Sequence, residues 1–167
     1  MKKIIKSLLN LFIVFNLSLS FSLVYAAGTS DSSTKYSSLY KEGKKLVIKA
    51  KKLEKKDKIE KSKKLYLKAL DKLEKAYEKD KKNADILNYL GFALRKTGDF
   101  EKAESFYLKG LSLDAGHLGI NEYLGELYVA TNRYDLANKR LKVLEKCDCQ
   151  EYKQLFEIIS GTKKTKY

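Results

Sequence analysis

The chain has no proline and no tryptophan, and among its 167 residues there are one histidine, two cysteines and nine glycines. A β-sandwich draws on proline and glycine at its many turns, so their scarcity argues against that class and for long helices with short connections. One histidine and two closely spaced cysteines leave little for a metal cluster or a histidine-based triad. No glycine-rich phosphate loop, zinc-protease helix or nucleophile elbow is present, and the C-x-x-C of a redox enzyme is absent. What is abundant is charge. Charged residues make up 34% of the chain and apolar ones 44%, which argues against disorder, a polytopic membrane protein and a disulfide-stapled miniprotein. The length suits a single domain with one sizeable core.

The chain opens with Lys2, Lys3 and Lys6, followed by an apolar stretch from Leu8 to Val24. This is the pattern of a secretory signal peptide. Val24-Tyr25-Ala26 places acceptable residues for a cut after Ala26, so residues 1–26 are expected to be removed and the mature chain to begin at Ala27. A retained anchor is the rival, because the stretch is just long enough to cross a bilayer core of ~30 Å. No cysteine follows it to accept a lipid, and the expected location is periplasmic or secreted. Residues 27–35, rich in Ser, Thr and Gly, read as a flexible linker, and residues 161–167 as a short basic tail.

The body of the chain repeats itself. Leu87-x2-Leu90-Gly91-x2-Leu94, Gly98-Asp99-Phe100 and Ala103-x3-Tyr107 recur 34 residues later as Asn121-x2-Leu124-Gly125-x2-Tyr128, Asn132-Arg133-Tyr134 and Ala137-x3-Leu141. A weaker copy lies 41 residues upstream, as Leu46-x2-Lys49-Ala50-x2-Leu53, Asp57-Lys58-Ile59 and Ser62-x3-Tyr66. Its seven extra residues are expected over Leu70 to Glu78, as two added turns of helix. Apolar residues recur at spacings of three and four, which is helical periodicity. Small residues at Ala50, Gly91 and Gly125 let one helix approach another, with the two glycines at equivalent points. Asn83 and Asp99 are placed to cap helices, while Gly98 and Asn132 suit turns needing positive φ.

This spacing resembles the tetratricopeptide repeat, over roughly residues 43–149. The resemblance lacks the usual closing proline, whose places are held by Ala115 and Cys149. It implies an all-α solenoid of about three helical hairpins, the minimum for a stable stack. Gln150 to Ile159 is expected to cap the array, entered through a capping box of Asp148 and Glu151. The helical domain with its cap then spans residues 36–160.

In that family the concave surface, lined by the first helix of each hairpin, binds extended peptides or partner helices. The resemblance places Val47 and Lys51, then Asp85, Asn88, Phe92 and Arg95, then Glu122, Glu126 and Val129 on this face. Phe92 would be the apolar anchor, with Asn88 and Arg95 making polar contacts; solvated helix surface is the bland alternative for the polar residues. Glu122 and Glu126 argue against a clamp for a C-terminal carboxylate. Tyr89 and Tyr123 read as packing between helices. A non-catalytic protein-interaction module is therefore expected, with a peptide or protein partner and with no cofactor, nucleic acid or small-molecule substrate.

Charge is unevenly spread: residues 35–82 hold 19 Lys and 8 acidic residues, whereas residues 83–160 hold 10 basic and 12 acidic ones. The basic half suits a polyanion such as anionic lipid or another envelope component, the alternative function. Its cations are all Lys, which lacks the planar fork of Arg for phosphate and bases and argues against specific nucleic-acid readout. The simpler reading is that Lys solvates long helices. Cys147 and Cys149 leave three states open: a local disulfide, free thiols or an intermolecular link. His117 is a lone candidate metal ligand, more simply a satisfied surface residue.

Overall fold

The computed structural model describes residues 30–163, with side chains placed from residue 37 onward. The segment read as a signal peptide lies outside the described residues. Among the described residues seven helices follow one another: α1 (Ser30–Glu54), α2 (Ile59–Lys79), α3 (Ala84–Thr97), α4 (Phe100–Leu113), α5 (Leu118–Ala130), α6 (Tyr134–Leu144) and α7 (Gln150–Ile159). No strand occurs among the described residues. Residues 30–35, read as linker, belong to α1. Tyr36–Tyr167 make up one compact unit.

The repeat is most visible in its turns. Asp57, Gly98 and Asn132, at equivalent positions of the three copies, all take positive φ, of 57°, 95° and 58°. Each closes its helix with the same pair of bonds: Gly98 N–H to Arg95 and Asp99 N–H to Leu94, Asn132 to Val129 and Arg133 to Tyr128, Asp57 to Glu54 and Lys58 to Leu53. Such a left-handed cap satisfies carbonyls that the helix end leaves over and reverses the chain. Asn83, Asp99 and His117 then open α3, α4 and α5, each accepting a backbone N–H three residues on. The Asp148–Glu151 capping box does not form. Cys149 is the N-cap of α7 without a side-chain bond, and Asp148, itself at positive φ, sits 3.7 Å from Lys153. Cys147 and Cys149 are joined in a disulfide immediately before this helix.

Paired turns make three hairpins, α1/α2, α3/α4 and α5/α6, with α7 packed on α5 and α6. α2 has 21 residues against 14 in α4, which accounts for the seven extra residues of the first copy. Small residues set the approach. A methyl on Gly91 would lie 2.5 Å from the Tyr107 ring of α4, and one on Gly43 would lie 2.6 Å from Leu73 of α2. Gly125 differs from Gly91 in its partner, because its nearest neighbour is Leu155 of α7, at 2.5 Å from such a methyl, and not the second helix of its own hairpin. The closing helix thus docks directly on the last repeat, burying Leu155 and Ile158. One core runs from Val47, Tyr66 and Leu73 through Leu90 and Tyr107 to Leu124, Leu127 and Ile158.

Candidate functional site

The odd-numbered helices α1, α3, α5 and α7 converge on a cleft of about 130 Å³. Lys51 and Glu54 come from α1, Phe92, Arg95 and Lys96 from α3, Glu122, Tyr123 and Glu126 from α5, and Gln154 and Ile158 from α7, with Lys163 at the end. Lys51, Phe92 and Glu126 hold equivalent places in the three copies, so the repeat itself delivers them to one wall. The rings of Phe92 and Tyr123 pack with centroids 4.7 Å apart, and Tyr66 meets Phe92 edge-on from below.

Cations cover these rings. Lys51 Nζ lies 4.9 Å from the Phe92 centroid and 5.4 Å from that of Tyr123, Arg95 sits 5.3 Å and 5.4 Å from the same two, and Lys96 is 5.8 Å from Phe92. Such contacts strengthen as water is excluded. The carboxylates are arranged around them. Arg95 donates to Glu126 Oε2. Lys96 pairs with Glu54 at 3.2 Å, and Tyr66 donates to the other Glu54 oxygen at 3.0 Å, so Glu54 ties α1 to α2 and α3. Lys51 donates to Tyr123 Oη at 3.2 Å.

Glu122 stands apart. Its residue is 3% exposed, and burial, reinforced by the neighbouring Glu126 charge, pushes its carboxyl up to about 8. At neutral pH it is mostly protonated. Burial also lowers Lys51 and Lys96, Arg95 adding to the effect at Lys96, and raises the Tyr123 hydroxyl. With Glu122 neutral and Glu126 compensated by Arg95, the cleft is not the doubly negative surface that the sequence suggested; Lys51, Arg95 and Lys96 face Glu54 and Glu126.

Of the six groove residues expected from the sequence, Phe92, Arg95, Glu122 and Glu126 meet in this cleft. Asp85 and Asn88 do not. Asp85 is exposed beside His117, whose Nε2 lies 3.4 Å away. Asn88 is buried against Gly119, and its Oδ1 has no hydrogen-bond partner among the described residues. The assigned roles also change. Phe92 is 3% exposed and Arg95 2%, so they form the floor of the cleft; an accessible anchor they are not. Val47 and Val129 are core as well. Glu54, Lys96, Tyr123, Gln154 and Ile158 were not anticipated as lining residues. Glu54 shares its repeat position with Arg95, which is the signal that would have found it; Gln154 and Ile158 follow no repeat.

His117 caps α5 through Nδ1, which accepts from Ile120 N–H and fixes the proton on Nε2, toward Asp85. Among the described residues no group of three or more His, Cys, Asp or Glu is placed to hold a metal ion.

A stack of helical hairpins with a cleft across its first helices defines an α-solenoid of the repeat class. The family profile described as tetratricopeptide repeat matches residues 63–117. Two solved structures share the fold. The first TPR of Spaghetti (RPAP3), bound to HSP90 peptide SRMEEVD, is 22% identical with a TM-score of 0.53 over 73% of this chain and 93% of that one. The Arabidopsis OM64 TPR domain is 15% identical with a TM-score of 0.54 over 75% of this chain and 99% of that one. No curated protein matches the sequence. Residues 63–117 thus match the tetratricopeptide repeat, and the described residues share the fold of tetratricopeptide-repeat domains.

Proposed function

We propose that the protein is a non-catalytic interaction module that holds a peptide segment or a partner protein's surface in the cleft between α1, α3, α5 and α7, in the bacterial cell envelope. The observation that carries this reading is the cleft itself: a concave surface whose charged and aromatic floor is already packed and paired before any partner arrives. A preformed receptor leaves the ordering cost to the partner. Phe92, Arg95 and Glu126 hold the floor, while Lys51, Tyr123 and Gln154 supply the polar groups at which a bound segment is read. A domain of like fold, that of Spaghetti, is bound to a peptide, which supports a peptide-binding use of this fold. Export is supported by Lys2, Lys3 and Lys6 before the apolar stretch and by Val24-Tyr25-Ala26 at its end. The disulfide between Cys147 and Cys149 fits an oxidising compartment.

The test is selection of peptides from a random phage-displayed library on the chain starting at Ala27, followed by titration against variants. Lys51→Gln and Gln154→Arg are expected to weaken the selected peptides more than tenfold, with Lys139→Gln, on α6, leaving them unchanged. Selection of no peptide, or of peptides indifferent to both cleft variants, would sink the proposal.

A further inference from the structure

The first helix has a second face that the cleft does not use. Gly43, Val47 and Ala50 point into the core, and Lys51 and Glu54 into the cleft. On the opposite side Lys41, Lys45, Lys49, Lys52, Lys55 and Lys56 are all exposed, with Ile48 among them at 43% exposure. At about 100° per residue Lys41, Lys45, Ile48, Lys49 and Lys52 fall within one third of the helix circumference over ~17 Å of its length, and Lys55 and Lys56 follow in the turn that ends the helix. None of the six lysines forms an ion pair among the described residues. The one acid at the margin, Glu42, is engaged by Lys72 of α2 at 3.1 Å. The described repeats all lie on the other side of α1.

We propose that this outward face of α1 is a docking surface for an anionic lipid bilayer, taking phosphate headgroups on its lysines and inserting Ile48 at the level of the acyl boundary. Charge complementarity carries the assignment. A second copy is disfavoured because it would bring one lysine stripe against another. Duplex nucleic acid is disfavoured because the face has neither an arginine to fork onto phosphate nor an aromatic ring, and because Ile48 has no use there. A bilayer uses both features, since ammonium groups on flexible stems reach headgroups at varied positions while an aliphatic side chain enters the interface. The cleft opens from a different side of α1, so docking would leave it accessible.

The experiment is co-sedimentation of the chain from Ala27, which keeps the whole compact unit from Tyr36 and removes the apolar segment as a confounding anchor. Vesicles of phosphatidylcholine alone are compared with vesicles containing 30% phosphatidylglycerol, at low and high salt. Binding is expected to the anionic vesicles only and to fall steeply with salt. Each lysine at an anionic surface is worth about fivefold in partitioning, so replacing Lys41, Lys45, Lys49 and Lys52 together with Gln is expected to cost several hundredfold. The same charge change made at Lys139, Lys142, Lys146 and Lys153 should cost less than about tenfold. Helical circular dichroism confirms that both variants remain folded. The proposal is overturned if the parent chain ignores anionic vesicles, if the two quadruple variants lose binding equally, or if a DNA duplex at the same salt is bound more tightly than the vesicles.

Discussion

Replacing Glu122 with Gln removes a carboxyl that the fold holds protonated, and the effect on stability depends on pH in a definite direction. The ordinary value of such a group is 4.5, and in the folded chain burial first, then the charge of Glu126, pushes it up to about 8. Below pH 4.5 both states carry the proton and folding is not penalised. As pH rises from 4.5, the unfolded chain releases its proton while the folded chain keeps it, so stability falls until the folded group also ionises near pH 8. A shift of this size corresponds to at most about 5 kcal/mol, of which ~3 kcal/mol is lost between pH 5 and pH 8. Glutamine has the same shape and nothing to ionise. Urea unfolding of parent and Glu122→Gln at both pH values cancels the contributions of all other groups. The variant is expected to gain about 3 kcal/mol relative to the parent on going from pH 5 to pH 8, or roughly 6–12 °C in melting temperature. Parallel pH profiles would refute the reasoning, and would mean that Lys51 and Arg95, which both favour the charged form, hold Glu122 ionised.

Phe92→Ala tests whether the ring is floor or anchor: at 3% exposure it should cost about 3–5 kcal/mol in chemical denaturation, whereas an exposed anchor would leave the midpoint unmoved. Asn132→Gly, at φ 58°, should stabilise by ~0.5–1 kcal/mol because glycine takes the left-handed turn without strain, a gain readable as a higher melting temperature. Gly91→Ala and Gly125→Ala separate two kinds of contact. The first drives a methyl into the buried Tyr107 ring and should cost ~1–3 kcal/mol, while the second meets the end of the Leu155 side chain, which can turn aside, and should cost less in the same urea titration.

The hairpins were legible because their signals are local and repeat: Asp57, Gly98 and Asn132 mark the same turn, and the mismatch of 41 against 34 residues already announced the long α2. The close approach of Gly43 to Leu73 was not legible because Leu73 belongs to the added turns of α2 and has no counterpart in the later copies. The cleft was half legible. Repeat position alone brought Phe92, Arg95, Glu122 and Glu126 to one face, but it says nothing of depth, and depth turned Phe92 and Arg95 into floor and left Glu122 protonated. Asn88 shares a repeat position with Glu122 and yet is sealed beneath Gly119, a matter of which neighbour lies above it. Gln154 and Ile158 depend on how α7 docks, and the turn before it departs from the earlier two: Asp80 and Asp114 bond backbone N–H groups two residues on, while Asp148 sits between the bridged cysteines.

The central claim, that a bound segment lies across the first helices of the hairpins, is tested most directly by amide NMR of the chain from Ala27 titrated with a library-selected peptide. Shift changes are expected to cluster at Lys51, Lys96, Tyr123, Glu126 and Gln154, on four separate helices at once. Changes confined to α2, α4 and α6, with those five amides still, would place recognition on the opposite surface and contradict the account.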